Sequence, residues 1–187
     1  MKTIAVYCGS SKGIDPIYME EAKKLGKVLV DNGFDLVYGG ATVGCMGAVA
    51  DAVMEVGGKV IGVIPEKLKN VEIAHQQLSE LHVVRTMHER KALMAEFADG
   101  FIALPGGSGT LEEWFEVFTW AQLGYHNKPC ALLNINDYYS PILTLFDHMI
   151  EQGFVKKEYK ELIVIDEDSK ELVNKLMTYE GAYIHKW

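Results

Sequence analysis

Short apolar runs rich in β-branched residues alternate along this chain with longer amphipathic stretches. Ile4 to Cys8 reads as a buried strand and Asp15 to Asn32 as a helix. Asp15 stands where it can cap that helix. Pro16 lies in the first turn, where its missing N–H costs nothing, and Gly33 ends the helix. Leu36 to Tyr38 is a second strand, closed by Gly39-Gly40. Met46 to Val56 is a helix stopped by Gly57-Gly58, and Lys59 to Ile64 is a strand ended by Pro65. Residues 66 to 80 have the least regular pattern. Leu81 to Val84 then reads as a short strand, Met87 to Ala98 as a helix and Phe101 to Leu104 as a strand. After the loop Pro105-Gly106-Gly107-Ser108-Gly109-Thr110, a long helix runs from Leu111 to Gly124. Strands at Ala131 to Asn134 and Leu162 to Ile165, and helices at Ser140 to Gln152 and Lys170 to Tyr179, complete the pattern.

This alternation predicts an α/β fold: a Rossmann-like, three-layer sandwich with a mostly parallel sheet and helices on both faces. No internal repeat or linker divides it, so one domain over residues 1–187 is expected. In such sheets ligands bind at the carboxyl ends of the strands. Three glycine-bearing loops fall there: Gly9-Ser10-Ser11, Gly39 to Gly47, and Gly106 to Thr110.

The composition narrows the function. With 187 residues, 49% of them hydrophobic and 24% charged, the chain is long and apolar enough to bury a core. The formal charge of -8 argues against nucleic acid as a partner, because counterion release needs a basic face. It leaves room for a small anion held by a few well-placed cations. Cys8, Cys45 and Cys130 are scattered and read as small buried hydrophobes. The six histidines, among them His88, show no metal-ligand spacing, so no metal is expected. The chain opens directly on a strand and has no apolar run long enough for a membrane span, which points to the cytoplasm.

The segment from Phe101 to Glu113 is the most informative. Three glycines in four positions let backbone N–H groups turn toward an anion, and the helix behind them adds its positive end. There is no lysine for a Walker A loop. The G-x-S-x-G spacing of a nucleophile elbow and the G-x-G-x-x-G dinucleotide pattern both fail. Thr110-Leu111-Glu112-Glu113 has the form of a capping box, with Thr110 as N-cap and Glu113 reaching back; from spacing alone that is the simpler reading. A carboxylate beside a sugar-phosphate site also suits orientation of water or stabilisation of a ribosyl cation.

Upstream, Met87, Arg90, Lys91 and Met94 share one helical face. They form either a cationic pocket wall or a solvated pair balanced by Glu89 and Glu96, and spacing alone favours the solvated pair. The helix Leu111 to Gly124 carries apolar residues around much of its circumference. It is therefore central to the core or packed against a second subunit.

Met87-His88-Glu89-Arg90-Lys91 and Pro105 to Glu113, taken together, resemble the paired signatures M-H-x-R-K and P-G-G-x-G-T-x-x-E of the Lonely Guy (LOG) family. The likeness extends to Cys8-Gly9-Ser10-Ser11, Gly39-Gly40 to Met46-Gly47, Val63-Ile64-Pro65 and Thr119 to Gly124. The resemblance implies hydrolysis of the N-glycosidic bond of cytokinin riboside 5'-monophosphates or AMP by a homodimer, without metal or organic cofactor. It implies Arg90 and Glu113 as the catalytic pair. Substrate binding would fall to Glu72, Arg90, Lys91, Gly107, Ser108, Gly109, Thr110, Leu111, Glu112, Glu113 and Thr119. Ser108 departs from the aromatic residue often found in the family's loop, which supports its exclusion as a nucleophile and implies altered contacts with the substrate. Two other expectations compete: a non-enzymatic nucleotide or molybdenum-cofactor carrier, which resembles the same fold family, and the lysine decarboxylase label carried by similar sequences. The latter calls for pyridoxal phosphate on a lysine, and no lysine motif supports it.

Overall fold

The computed structural model describes residues 2–69 and 74–181. The elements follow one another as β1 Thr3–Tyr7, α1 Ile17–Asp31, β2 Asp35–Tyr38, α2 Gly44–Glu55, β3 Val60–Pro65, α3 Glu66–Lys69 and β4 Glu80–Val84. The second half continues with α4 Met87–Phe97, β5 Gly100–Ala103, α5 Ser108–Gln122, β6 Cys130–Leu133, α6 Ser140–Glu151, β7 Ile163–Asp166 and α7 Ser169–Met177. The seven strands form one sheet in the order β4-β3-β2-β1-β5-β6-β7, and every pairing is parallel.

The strands read as unbroken apolar runs because both faces of the sheet are covered. Side chains alternate along a strand, so β1 sends Ile4 and Val6 into one core and Ala5 and Tyr7 into the other. β5 does the same: Ile102 joins the core under α1, α2 and α7, and Phe101 and Ala103 the core under α4, α5 and α6. Leu36 at the centre is fully buried. Truncating such a leucine to alanine costs about 2–5 kcal/mol.

Asp15 caps α1 as expected, its carboxylate accepting from the Ile17 N–H at 3.0 Å. Two local expectations change. α5 begins at Ser108, with Gly107 in extended conformation as its N-cap and no side chain among the described residues capping it. Thr110 therefore lies inside the first turn, buried against Gly106, and the Thr110–Glu113 capping box does not form at the helix start. A capping arrangement occurs instead at α4: the Thr86 hydroxyl accepts from the Glu89 N–H at 3.1 Å, and the Glu89 carboxylate accepts from the Arg85 N–H at 2.8 Å. α5 also buries one face only, through Thr110, Trp114, Val117 and Phe118, and leaves Leu123 exposed. Among the described residues no helix is long and apolar enough to cross a membrane.

Candidate active site

The chain runs from β1 outward to β4 and then returns to place β5 on the other side of β1. The carboxyl ends of β1 and β5 thus flank the switch point of the sheet, where parallel α/β sheets open a crevice. A cavity of about 300 Å³ lies there. Cys8, Gly9 and Ser10 line it from the end of β1, Met46 from α2 and Leu68 from α3. Met87 and Arg90 close it from α4, and Gly107 to Thr110 with Glu112 and Glu113 close it from α5. A second cavity of about 330 Å³ adjoins it, sharing Gly9, Ser10 and Gly107 and extending to Lys12 and Tyr138.

Arg90 is only 3% exposed. Its Nε–H donates to the Val63 carbonyl at 3.1 Å and its Nη2 to the Gly39 carbonyl at 2.9 Å. A carbonyl within β3 and one just past the end of its neighbour β2 therefore hold a buried guanidinium against the cavity. Gly39 is glycine for a steric reason: a Cβ there would lie 2.0 Å from Arg90 Nη2.

Lys91, next on the helix, turns the other way. Its ammonium pairs with Glu112 and, at 3.2 Å, with Glu116. Burial pulls the Lys91 pKa down, but the hydrogen bonds to the two carboxylates outweigh it and leave the pKa raised. The solvated pair balanced by Glu89 and Glu96 is therefore not what forms. Both cations are buried, and Glu89 serves Arg85 instead.

Glu113 stands one helical turn inside α5, half-buried. Its charge is felt by its neighbours. Burial first, and then the negative charge of Glu113 among others, raises the pKa values of Tyr7 and Cys8 well above their ordinary ranges. Cys8 lines the cavity as a protonated thiol and offers no thiolate nucleophile at neutral pH. Ahead of Glu113, the first N–H groups of α5 have no carbonyl one turn back to bond, and among the described residues no side chain caps them. They form a concentration of positive partial charge on the cavity wall.

A family model described as possible lysine decarboxylase matches residues 46–176. The cytokinin riboside 5'-monophosphate phosphoribohydrolase LOG of Oryza sativa subsp. japonica is 50% identical over 182 residues, covering 97% of this chain and 75% of that protein. A cytokinin riboside 5'-monophosphate phosphoribohydrolase from Rhodococcoides fascians is 49% identical over 168 residues, 89% of this chain and 85% of that protein. The chain belongs to the LOG family. Among solved structures, the molybdenum cofactor carrier protein MCP of Chlamydomonas reinhardtii is similar in fold, with a TM-score of 0.69 at 20% identity over 94% of this chain and 98% of that one.

The structure brings most of the residues implied by the LOG resemblance to one cavity: Arg90, Gly107, Ser108, Gly109, Thr110, Glu112 and Glu113. Lys91 lies behind Glu112, Leu111 is half-buried against the core, and Thr119 is exposed farther along α5. Glu72 lies outside the described residues. Three contributors were not singled out from sequence. Met46 and Leu68 reach the cavity from α2 and α3, and Tyr138 reaches the glycine loop from the far side. The first two carry no polar signal. Tyr138 is 32 residues from its partner in sequence, beyond the reach of any local pattern. Among the described residues no group of three or more His, Cys, Asp or Glu is placed to hold a metal ion.

Proposed function

We propose that this LOG-family chain hydrolyses the N-glycosidic bond of a purine nucleoside 5'-monophosphate, of the cytokinin riboside class or AMP, releasing the free base and ribose 5-phosphate. The observation that carries the reading is one cavity holding three things: an uncapped helix N-terminus, a buried arginine and a carboxylate one helical turn from the anion seat. The N-terminus and the loop Gly107 to Thr110 seat the 5'-phosphate. Arg90, fixed by two carbonyls, positions the nucleotide. Lys91 acts through Glu112, whose carboxylate it neutralises. The bond between ribose C1' and the base nitrogen breaks, with its electrons leaving on the base. Glu113 stabilises the ribosyl cation or orients the water whose oxygen bonds to C1' and whose proton is passed on toward the base.

The chain works as a single domain in the cytoplasm, and as a homodimer that covers the partly exposed apolar residues of α5. Light scattering checks the assembly.

Chromatography of reaction mixtures tests the activity. Wild type is expected to release base from AMP or isopentenyladenosine 5'-monophosphate but not from adenosine. Glu113→Gln is expected to lose about 100-fold or more in turnover while keeping its fold. Near-normal turnover by that variant would remove Glu113 from the mechanism. A wild type that cleaves no nucleotide but copurifies with a pterin would favour a carrier.

A further inference from the structure

The segment after β6 is built unlike any other loop in the described residues. Asn136 and Asp137 are the non-glycine residues with left-handed backbone, at φ 49° and 58°, and they follow one another directly. A side chain there strains the backbone, so neighbouring contacts must hold the turn in place. The contacts are present. The buried Asn134 carboxamide oxygen accepts from the Tyr139 N–H at 2.7 Å, and the Ser140 hydroxyl donates to the Asp137 carboxylate at 2.8 Å. Tyr139 is fully buried, and its hydroxyl donates to the Leu104 carbonyl at 2.5 Å.

This turn presents Tyr138 across the cleft. Its hydroxyl donates to the Gly106 carbonyl at 2.7 Å. Its ring is set edge-on between Tyr139, at 5.1 Å, and Tyr18 of α1, at 5.8 Å. A peptide unit is planar and trans, so the carbonyl of Gly106 and the N–H of Gly107 point in opposite directions. Holding that carbonyl against Tyr138 turns the Gly107 N–H away from Tyr138. It also engages a carbonyl whose negative end would otherwise be free to swing toward a bound anion.

We infer that Tyr138 is a positioning residue: its hydroxyl fixes the Gly106–Gly107 peptide plane so that the Gly107 N–H enters the phosphate seat. The inference rests on the reading of Gly107 to Thr110 as that seat. Tyr138 touches no reacting atom, and its effect is on binding of the phosphate rather than on bond breaking.

Tyr138→Phe keeps the ring contacts and removes only the hydroxyl. Tyr138 is 40% exposed, so the variant is expected to fold with an unchanged melting temperature. Titration calorimetry with ribose 5-phosphate and with adenine, on wild type and variant, is the test. Ribose 5-phosphate is expected to bind the variant about five- to tenfold more weakly, the loss of one hydrogen bond near a charged group, with adenine unaffected. The nucleotide KM is expected to rise by the same factor, with kcat within about twofold. Equal ribose 5-phosphate affinity in the two proteins overturns the inference, as does equal weakening of both probes or a fall in kcat at constant KM. A wild type that binds ribose 5-phosphate but cleaves no nucleotide sinks the functional reading and leaves the calorimetric comparison to decide the role of Tyr138. A wild type that does not bind it sinks both.

Discussion

Two strand–loop–helix units of this sheet, β5–α5 and β7–α7, have the same topology and opposite chemistry at the turn. α7 begins with Asp168, whose carboxylate accepts from the Lys170 and Glu171 N–H groups at 2.8 and 3.2 Å and pairs with Lys24 of α1 at 2.8 Å. That helix satisfies its own N-terminus. The Lys24 hydrogen bond, first among the causes, keeps the Asp168 carboxyl below its ordinary range. α5 begins with Gly107 and takes no side-chain cap from the described residues, forgoing about 1 kcal/mol of stability that a cap supplies. The uncapped helix opens on the switch-point cavity; the capped one does not line it. On the functional reading proposed above, the difference lies where a ligand's charge would take the place of a cap.

The comparison can be broken from the α5 side. The largest effect is expected from Gly39→Ala, whose Cβ would collide with Arg90. Displacing the guanidinium by an ångström is expected to lower kcat/KM about 100-fold in the base-release assay. A more direct test gives α5 the cap that α7 has. Gly107 has open space where a Cβ would be, so Gly107→Asp introduces a capping carboxylate without a clash. Nucleotide KM should rise about tenfold or more while the melting temperature holds or rises, because the carboxylate occupies the seat of the phosphate. A variant with a wild-type KM would show that the N-terminus of α5 is not that seat.

From the α7 side, Asp168→Ala should cost about 1 kcal/mol in chemical denaturation, the loss of a cap, with turnover unchanged. Because the folded carboxyl is depressed, its stabilisation is present above its unfolded pKa and lost as pH falls through the lower, folded value. The difference between wild type and variant should therefore vanish in acid. The smallest effect concerns His126. Burial, the largest cause, depresses its pKa; its Nε2–H donates to the Val117 carbonyl and its Nδ1 accepts from the Lys128 N–H. The unfolded chain then binds a proton more readily, so the melting temperature should decline modestly as pH falls from about 6.5. That slope should flatten in His126→Gln.

The fold was legible because both faces of every central strand are buried. Apolar runs such as Val60 to Ile64, β-branched at every position but Gly62, have no other comfortable home. Helix boundaries were less so. Thr110 carries the signature of a cap, yet the glycines before it let the helix start at Ser108. The candidate site was legible as a glycine loop and a basic helix. What sequence did not carry was direction: adjacent residues Arg90 and Lys91 leave α4 toward different partners, one to the backbone carbonyls of Val63 and Gly39 and one to α5. Those contacts span 21 to 51 residues and appear only once the sheet is assembled.

The claim that joins these points is that the first turn of α5 holds the substrate's phosphate. A titration of isotopically labelled protein with ribose 5-phosphate, followed through its backbone amide resonances, tests it most directly. The account predicts that the Gly107, Ser108 and Gly109 amides shift most, while those of Lys170 and Glu171 at the capped start of α7 stay in place. Saturable binding that leaves the three α5 amides unmoved would contradict it.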